Sequence, residues 1–177
     1  MITFAKFQEL FPDLCAQRVR LVIADDSLQG RAGMRTLMEQ PPTLQVVAAV
    51  GTTEELHRAC ERHRPTVAIL DLCLPEADDG LAASRQLRKK FPSLPVLLVT
   101  GHEQERAGQK AKAAGAAGYA LKNFSDGLLW QCALEIAAGR TAFPDHRSRW
   151  LPQELSDAQR LALLRPQEVK LLAALAG

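Results

Sequence analysis

Short apolar runs alternate along this chain with longer segments in which apolar and polar positions are mixed. The apolar runs are rich in β-branched residues, and the runs VAIL at 67–70 and VLLV at 96–99 contain no polar position. Strands that are covered by helices on both faces of a parallel sheet show this pattern. We therefore predict five strands, at residues 19–24, 44–50, 66–70, 95–100 and 117–121.

The mixed segments predict helices because their apolar positions recur at helical spacing. These helices are predicted at residues 28–40, 53–64, 80–91, 103–115 and 125–138. Thr52 and Glu55 have the spacing of a capping box at the start of the second helix, and Gly115 stands where a left-handed residue would end the fourth. Five strands that alternate with five helices predict a doubly wound α/β domain.

The chain extends on both sides of this domain, which we predict at residues 18–139. A leader helix is predicted within residues 1–17. Its apolar stripe consists of Phe4, Phe7, Leu10, Phe11 and Leu14. Such a stripe usually packs on its own domain, and the alternative is a helix that binds a partner or forms a dimer. A linker with two prolines is predicted at 140–155, and a further helical segment at 156–177.

Composition places the chain among ordinary soluble proteins, with 177 residues, 47% apolar content and 24% charged content. The net charge of +2 is too small to indicate a nucleic-acid or membrane partner. The first residues lack the continuous apolar region of an export signal, and no apolar run is long enough to span a bilayer. We therefore predict a cytoplasmic protein, whose four cysteines are reduced because they lie far apart without a CxxC pair.

The residues that follow each apolar run indicate the chemistry, because doubly wound sheets bind ligands beyond the carboxyl ends of their strands. Asp25 and Asp26 follow the first run, and Asp71 follows the third. Thr100 ends the fourth run, and Lys122 follows the fifth. Any one of these residues alone is more often a helix cap or a solvated side chain, but all five fall on one edge of the predicted sheet.

Three carboxylates that converge repel one another, and a hard cation with oxygen ligands is the usual solution. Mg²⁺ fits this role because it commonly binds one or two protein carboxylates together with phosphate oxygens. Asp71 is then the candidate nucleophile, while Lys122 offers a positive charge and Thr100 a hydroxyl donor for the phosphoryl oxygens. A metal-dependent phosphatase or hydrolase on a similar sheet is disfavoured, because Cys73 stands where such an enzyme would have a second catalytic aspartate.

Four strings at these positions, VIADDS, ILDLCLPEADDG, LLVTG and GYALK, resemble the receiver domain of two-component response regulators. The resemblance covers about residues 18–139 and implies a flavodoxin-like sheet of five parallel strands in the order 2-1-3-4-5. It implies that a sensor histidine kinase donates the phosphoryl group and that the receiver forms a homodimer on phosphorylation. Such a receiver is not an enzyme with a separate substrate, but a phosphoacceptor that catalyses its own Mg²⁺-dependent phosphorylation and dephosphorylation.

The resemblance also assigns roles to individual residues, with Asp71 as the phosphoacceptor. The implied ligands of Mg²⁺ are Asp25, Asp26, Asp71 and the backbone carbonyl of Cys73. Lys122 is implied to bind the phosphate, while Thr100 and Tyr119 are implied to shift together on phosphorylation. Plain packing is the alternative role for Tyr119.

The sequence departs from the pattern of this family in two places. Gly80 lies one residue later than the family usually has it, so the preceding loop is longer and carries Glu76, Asp78 and Asp79. We expect this loop to alter docking of the kinase. Asn123 follows the lysine where many members have proline, which leaves the placement of the lysine open.

The tail LRPQEVKLLAALAG, at residues 164–177, resembles the first helix of the NarL/LuxR-type helix-turn-helix domain. The alternative is an amphipathic linker or dimer helix. On the first interpretation, we expect a fragment of a longer transcription regulator, which would contact DNA only through an output domain absent from this chain. The competing hypothesis is a receiver that acts through protein contacts alone.

Overall fold

A five-stranded parallel sheet forms the centre of the fold. The computed structural model describes residues 3–74, 80–101, 106–123 and 126–143. The strands are β1 (Val19–Ala24), β2 (Leu44–Val50), β3 (Val67–Asp71), β4 (Val96–Thr100) and β5 (Gly118–Leu121). Their order is β2-β1-β3-β4-β5, and every neighbouring pair is parallel. The prediction of a flavodoxin-like doubly wound sheet is therefore confirmed.

Helices cover both faces of this sheet. They are α1 (Phe4–Leu10), α2 (Leu28–Met38), α3 (Thr53–His63), α4 (Gly80–Lys90), α5 (Ala107–Ala113) and α6 (Asp126–Ala137). Apolar residues of α1, α2 and α6 form one core cluster with alternate strand residues such as Ile23 and Ile69. The other strand residues, including Val22 and Leu70, form a second cluster with α3, α4 and α5. Burial on both sides explains why the strands have continuous apolar sequences.

Local capping fixes the start of α3 and the end of α5 as the sequence predicted. The Thr52 hydroxyl accepts from the Glu55 N–H at 3.2 Å and so begins α3. At the end of α5, Gly115 has a φ of 77°, and the Ala116 N–H donates to the Ala111 carbonyl at 3.0 Å. This is the Schellman arrangement, in which glycine takes the left-handed position without a steric penalty.

The start of α5 differs from the prediction. The helix begins at Ala107 rather than at Glu103, because Arg106 has a left-handed φ of 60° that cannot continue a right-handed helix. Residues 103–105 of the predicted helix lie outside the described residues.

The leader packs on its own domain. Helix α1 ends at Leu10, because Pro12 disfavours helical geometry at Phe11, whose φ is −134°. A 3₁₀ turn, Leu14–Ala16, then leads into β1. Phe7 is fully buried, with its ring centroid 5.8 Å from that of Trp130 on α6.

A hydrogen bond joins the helices beneath the leader. The Trp130 indole N–H donates to the Leu37 carbonyl of α2 at 2.9 Å. Burying an indole requires such a partner for its N–H. The leader, α2 and α6 therefore pack as one unit on this face of the sheet.

Beyond α6, the chain returns to the edge of β5. Ala142 is fully buried and forms a parallel bridge with Gly118. Its carbonyl accepts from the Tyr119 N–H at 2.8 Å. Residues 144–155 of the predicted linker, the predicted helical segment 156–177 and the acidic loop residues Glu76, Asp78 and Asp79 lie outside the described residues.

None of the helices in the described ranges is long and apolar enough to cross a membrane.

We predict that Phe7→Ala lowers the free energy of unfolding by about 3–5 kcal/mol, because it removes a fully buried ring and leaves a cavity. Urea denaturation followed by circular dichroism measures the change. The control is Lys6→Ala on the exposed side of α1, which should change the free energy by no more than about 0.5 kcal/mol. Equal values for the two variants would mean that the leader does not contribute to stability.

Candidate functional site

Three carboxylates converge at the carboxyl edge of the sheet. Asp25 and Asp26 follow β1, and Asp71 ends the neighbouring strand β3. One oxygen from each of the three side chains lies within 4.8 Å of the others. Asp25 is 2% exposed and Asp71 is 5% exposed, whereas Asp26 lies open to solvent. The strand order brings these residues together, because carboxyl ends of parallel strands share one edge.

Lys122 bridges the two buried carboxylates. Its ammonium group donates to Asp25 Oδ2 and to Asp71 Oδ2, each at 2.6 Å. Burial alone would lower the pKa of Lys122, but hydrogen bonds and charges from the two aspartates raise it above its usual value. Lys122 therefore stays protonated at neutral pH. Asn123 in place of proline is thus compatible with a lysine that reaches both carboxylates.

Backbone N–H groups fix the remaining oxygens of the same two carboxylates. The Ser27 N–H donates to Asp25 Oδ1 at 2.9 Å, and the Cys73 N–H donates to Asp71 Oδ1 at 3.2 Å. Each carboxylate is thus held by one charged donor and one backbone donor, which together restrict its orientation. The carbonyl of Cys73 as a metal ligand remains a prediction.

Cys73 is the exposed cysteine among four free cysteines. Burial of the thiol, with the charge of Asp71 as the next cause, raises the pKa of Cys73. A raised pKa favours the neutral thiol over the thiolate. The reduced state of the four cysteines remains a prediction.

Thr100 and Tyr119 lie on the neighbouring strands. Thr100 is fully buried at the end of β4, and its carbonyl accepts from the Lys122 N–H at 2.8 Å. Tyr119 on β5 is 3% exposed and belongs to the core cluster beneath α3, α4 and α5. Packing is thus one role of Tyr119, and its coupled movement with Thr100 remains a prediction.

Arg31 is a site neighbour that the sequence pattern did not single out. Its Nη1 donates to the Asp25 carbonyl at 2.7 Å and to the Asp26 carbonyl at 3.1 Å. Its position in the sequence could have indicated this contact, because Arg31 lies in the first turn of the helix that begins directly after the acidic pair.

The donor set fits a hard divalent cation. All three converging side chains offer carboxylate oxygens, and one of them faces solvent from which a cation can enter. Mg²⁺ and related ions prefer oxygen ligands, whereas softer transition metals favour nitrogen and sulfur. Asp25, Asp26 and Asp71 could therefore hold such an ion.

Comparison with known proteins agrees with this fold. Residues 21–133 match the response regulator receiver domain family. The chain therefore belongs to the receiver family of two-component response regulators.

Its relatives include transcription regulators. The oxygen regulatory protein NreC of Staphylococcus epidermidis is 32% identical over 123 residues, which make up 70% of this chain and 56% of that protein. The DNA-binding transcriptional activator DevR/DosR of Mycobacterium tuberculosis is 30% identical over 140 residues, which make up 79% of this chain and 64% of that protein. This chain thus matches only part of the length of these relatives.

A solved structure extends the likeness to three dimensions. The LuxR-family two-component response regulator of Aurantimonas sp. SI85-9A1 matches 89% of this chain and 99% of its own chain, with a TM-score of 0.67 and 28% identity. NarL/LuxR-type regulators are therefore homologues of this protein in both sequence and fold.

We predict that Lys122→Ala destabilises the metal-free protein by about 1.5–3 kcal/mol, because it leaves two buried carboxylates without their charged donor. Urea denaturation at neutral pH in the presence of a chelator measures this loss. Lys110→Ala, on the exposed side of α5, is the control and should be close to neutral. A loss no larger than that of the control would show that the two ion pairs add nothing to stability.

Proposed function

We propose that Asp71 accepts a phosphoryl group and that this modification switches the receiver between two states. The observation that carries the proposal is the buried carboxylate of Asp71, which one ammonium group and one backbone N–H orient at the sheet edge. An oxygen that is fixed in this way can attack phosphorus in line with the leaving group.

The transfer forms a bond between an Asp71 oxygen and phosphorus. The bond from phosphorus to the donor breaks, and its electron pair leaves with the donor atom, a histidine nitrogen of a sensor kinase. Lys122 is close enough to Asp71 to neutralise negative charge on the transferred group, and the Thr100 hydroxyl offers a further donor at the neighbouring strand end.

Mg²⁺ is the cation that we propose for the acidic cluster. Asp25, Asp26 and Asp71 would hold it, with the Cys73 carbonyl as a further ligand. A bound Mg²⁺ would neutralise phosphoryl oxygens and reduce repulsion among the carboxylates. The same residues would support loss of the phosphoryl group to water, so the receiver would limit its own signal without acting on a separate substrate.

The switch is proposed to act through Thr100, Tyr119 and the strand β5, which Lys122 directly follows. Support comes from backbone bonds that link these positions, because the Lys122 N–H binds Thr100 and the Tyr119 N–H binds Ala142. A shift of Lys122 toward a phosphoryl group would therefore act on β5 and on the chain that follows α6. A local change of charge acts as a conformational switch when it shifts the equilibrium between two packed arrangements of the protein.

The output that we propose is transcription regulation in the cytoplasm, through homodimers that form on phosphorylation. Support comes from the DNA-binding activator among the relatives and from the tail that resembles the start of a helix-turn-helix domain. DNA contact would require an output domain beyond the receiver.

We predict that acetyl phosphate, in place of a kinase, adds one phosphoryl group to the protein when Mg²⁺ is present. Intact mass spectrometry measures the adduct with and without Mg²⁺. Asp71→Asn should show no adduct, because a neutral amide lacks the negatively charged carboxylate oxygen that attacks phosphorus. Asp13→Asn, which makes the same change at an exposed position, should be modified like the wild type.

Two results would contradict the proposal. An adduct of equal yield on Asp71→Asn would place the modification elsewhere. The absence of any adduct on the wild type at saturating Mg²⁺ would mean that the receiver signals without phosphorylation.

A further inference from the structure

Hydrogen bonds connect the turn that contains the acidic pair with the first turn of α2. The Ser27 N–H binds the Asp25 carboxylate, and the Ser27 hydroxyl accepts from the Gly30 N–H at 3.2 Å. The Arg31 N–H in turn binds the Ser27 carbonyl at 2.9 Å. The side chain of Arg31 then folds back to the carbonyls of Asp25 and Asp26. These contacts close a loop around the two aspartates.

Arg31 makes the contacts that reach both members of the pair. A single guanidinium nitrogen binds the two consecutive carbonyls, at 2.7 Å and 3.1 Å, so it fixes the relative orientation of two adjacent peptide units. The Cα atoms of Asp25 and Asp26 flank these peptide units, so rotation of either unit would change the position of a carboxylate relative to Asp71. Hydrogen bonds to a charged donor are also stronger than those between neutral groups.

Glu55, from α3, is close enough to Arg31 for the charges of the two side chains to interact. Its carboxylate accepts from the Gly51 N–H at 2.9 Å. This hydrogen bond lowers the pKa of Glu55, and the charge of Arg31 contributes to the same effect. The guanidinium of Arg31 therefore interacts with the charge of an α3 side chain as well as with the carbonyls after β1.

We propose that Arg31 is a positioning residue for the cation site, which holds the Asp25 and Asp26 carboxylates where they can share a divalent cation with Asp71. The inference rests on the proposed function, because it assigns Arg31 to the Mg²⁺ site of that function. Arg31 acts through the backbone and touches neither the cation nor the phosphoryl group.

A role through charge and a role through positioning predict opposite changes in Mg²⁺ affinity when Arg31 is removed. If Arg31 acted only through its positive charge, its removal would strengthen binding of Mg²⁺, because a repelling cation would be lost. If Arg31 positions the acidic pair, its removal weakens binding. Neighbouring groups that orient metal ligands typically change metal affinity by about 10- to 100-fold when they are mutated.

The test is the dissociation constant for Mg²⁺, measured by isothermal titration calorimetry on the full chain. We expect Arg31→Gln to raise this constant by about 10- to 100-fold. Arg31→Lys, which keeps a charged donor on a shorter side chain, should give an intermediate value. The matched control is Arg35→Gln, one turn further along α2, where the arginine pairs with Glu39 in solvent. It should stay within about twofold of the wild type.

A second readout separates positioning from stability. Thermal unfolding of each metal-free variant identifies any loss of fold, and the titrations are made well below every midpoint. A lower midpoint for Arg31→Gln with an unchanged dissociation constant would overturn the inference, as would a smaller dissociation constant. Arg31→Lys provides the same comparison if the glutamine variant does not fold.

Failure of this inference is distinguishable from failure of the proposed function. If the wild type binds Mg²⁺ and takes up a phosphoryl group while Arg31→Gln binds Mg²⁺ equally well, the inference alone fails. If the wild type itself binds no Mg²⁺, both fail together.

Discussion

Burial of like charges at one edge of the sheet is the constraint around which this receiver is built. Asp25 and Asp71 are almost fully buried, and Asp26 lies beside them. One ammonium group, that of Lys122, bridges the buried pair. Lys122 and the nearby guanidinium of Arg31 supply two positive charges against three carboxylates, so the site keeps a net attraction for cations. The parallel topology creates this situation, because it delivers all strand ends to the same edge.

The two faces of the sheet are stabilised in different ways around that edge. On one face, the leader adds aromatic rings to the packing of α2 and α6, with Trp130 at the centre. On the other face, α3, α4 and α5 pack mainly through small and aliphatic residues. The acidic pair is connected to the first face, because α2 starts directly after it. Packing of the leader therefore stabilises α2, which is the helix that follows the acidic pair.

The sheet topology and the residues at the strand ends could be predicted from the sequence, because continuous apolar runs of this length are typical of buried parallel strands. The strands β1 and β2 have the predicted bounds, and β3 is shifted by one residue, since it begins at Val67 and ends at Asp71, which pairs with Val99. The start of α5 could not be predicted, because nothing in the sequence marks Arg106 as left-handed. The double contact of Lys122 and the contacts of Arg31 depend on side-chain rotamers, which strand and helix periodicity does not encode.

The return of the chain to β5 has a consequence for association of the sheet with other chains. An edge strand offers free backbone donors and acceptors to any extended segment that approaches it. Residues 141–143 occupy part of that edge, since Ala142 binds the backbone of Ala117 and of Tyr119. The opposite edge, β2, has no such cover among the described residues. Unwanted strand addition, the first step toward aggregation, would therefore start at β2 rather than at β5.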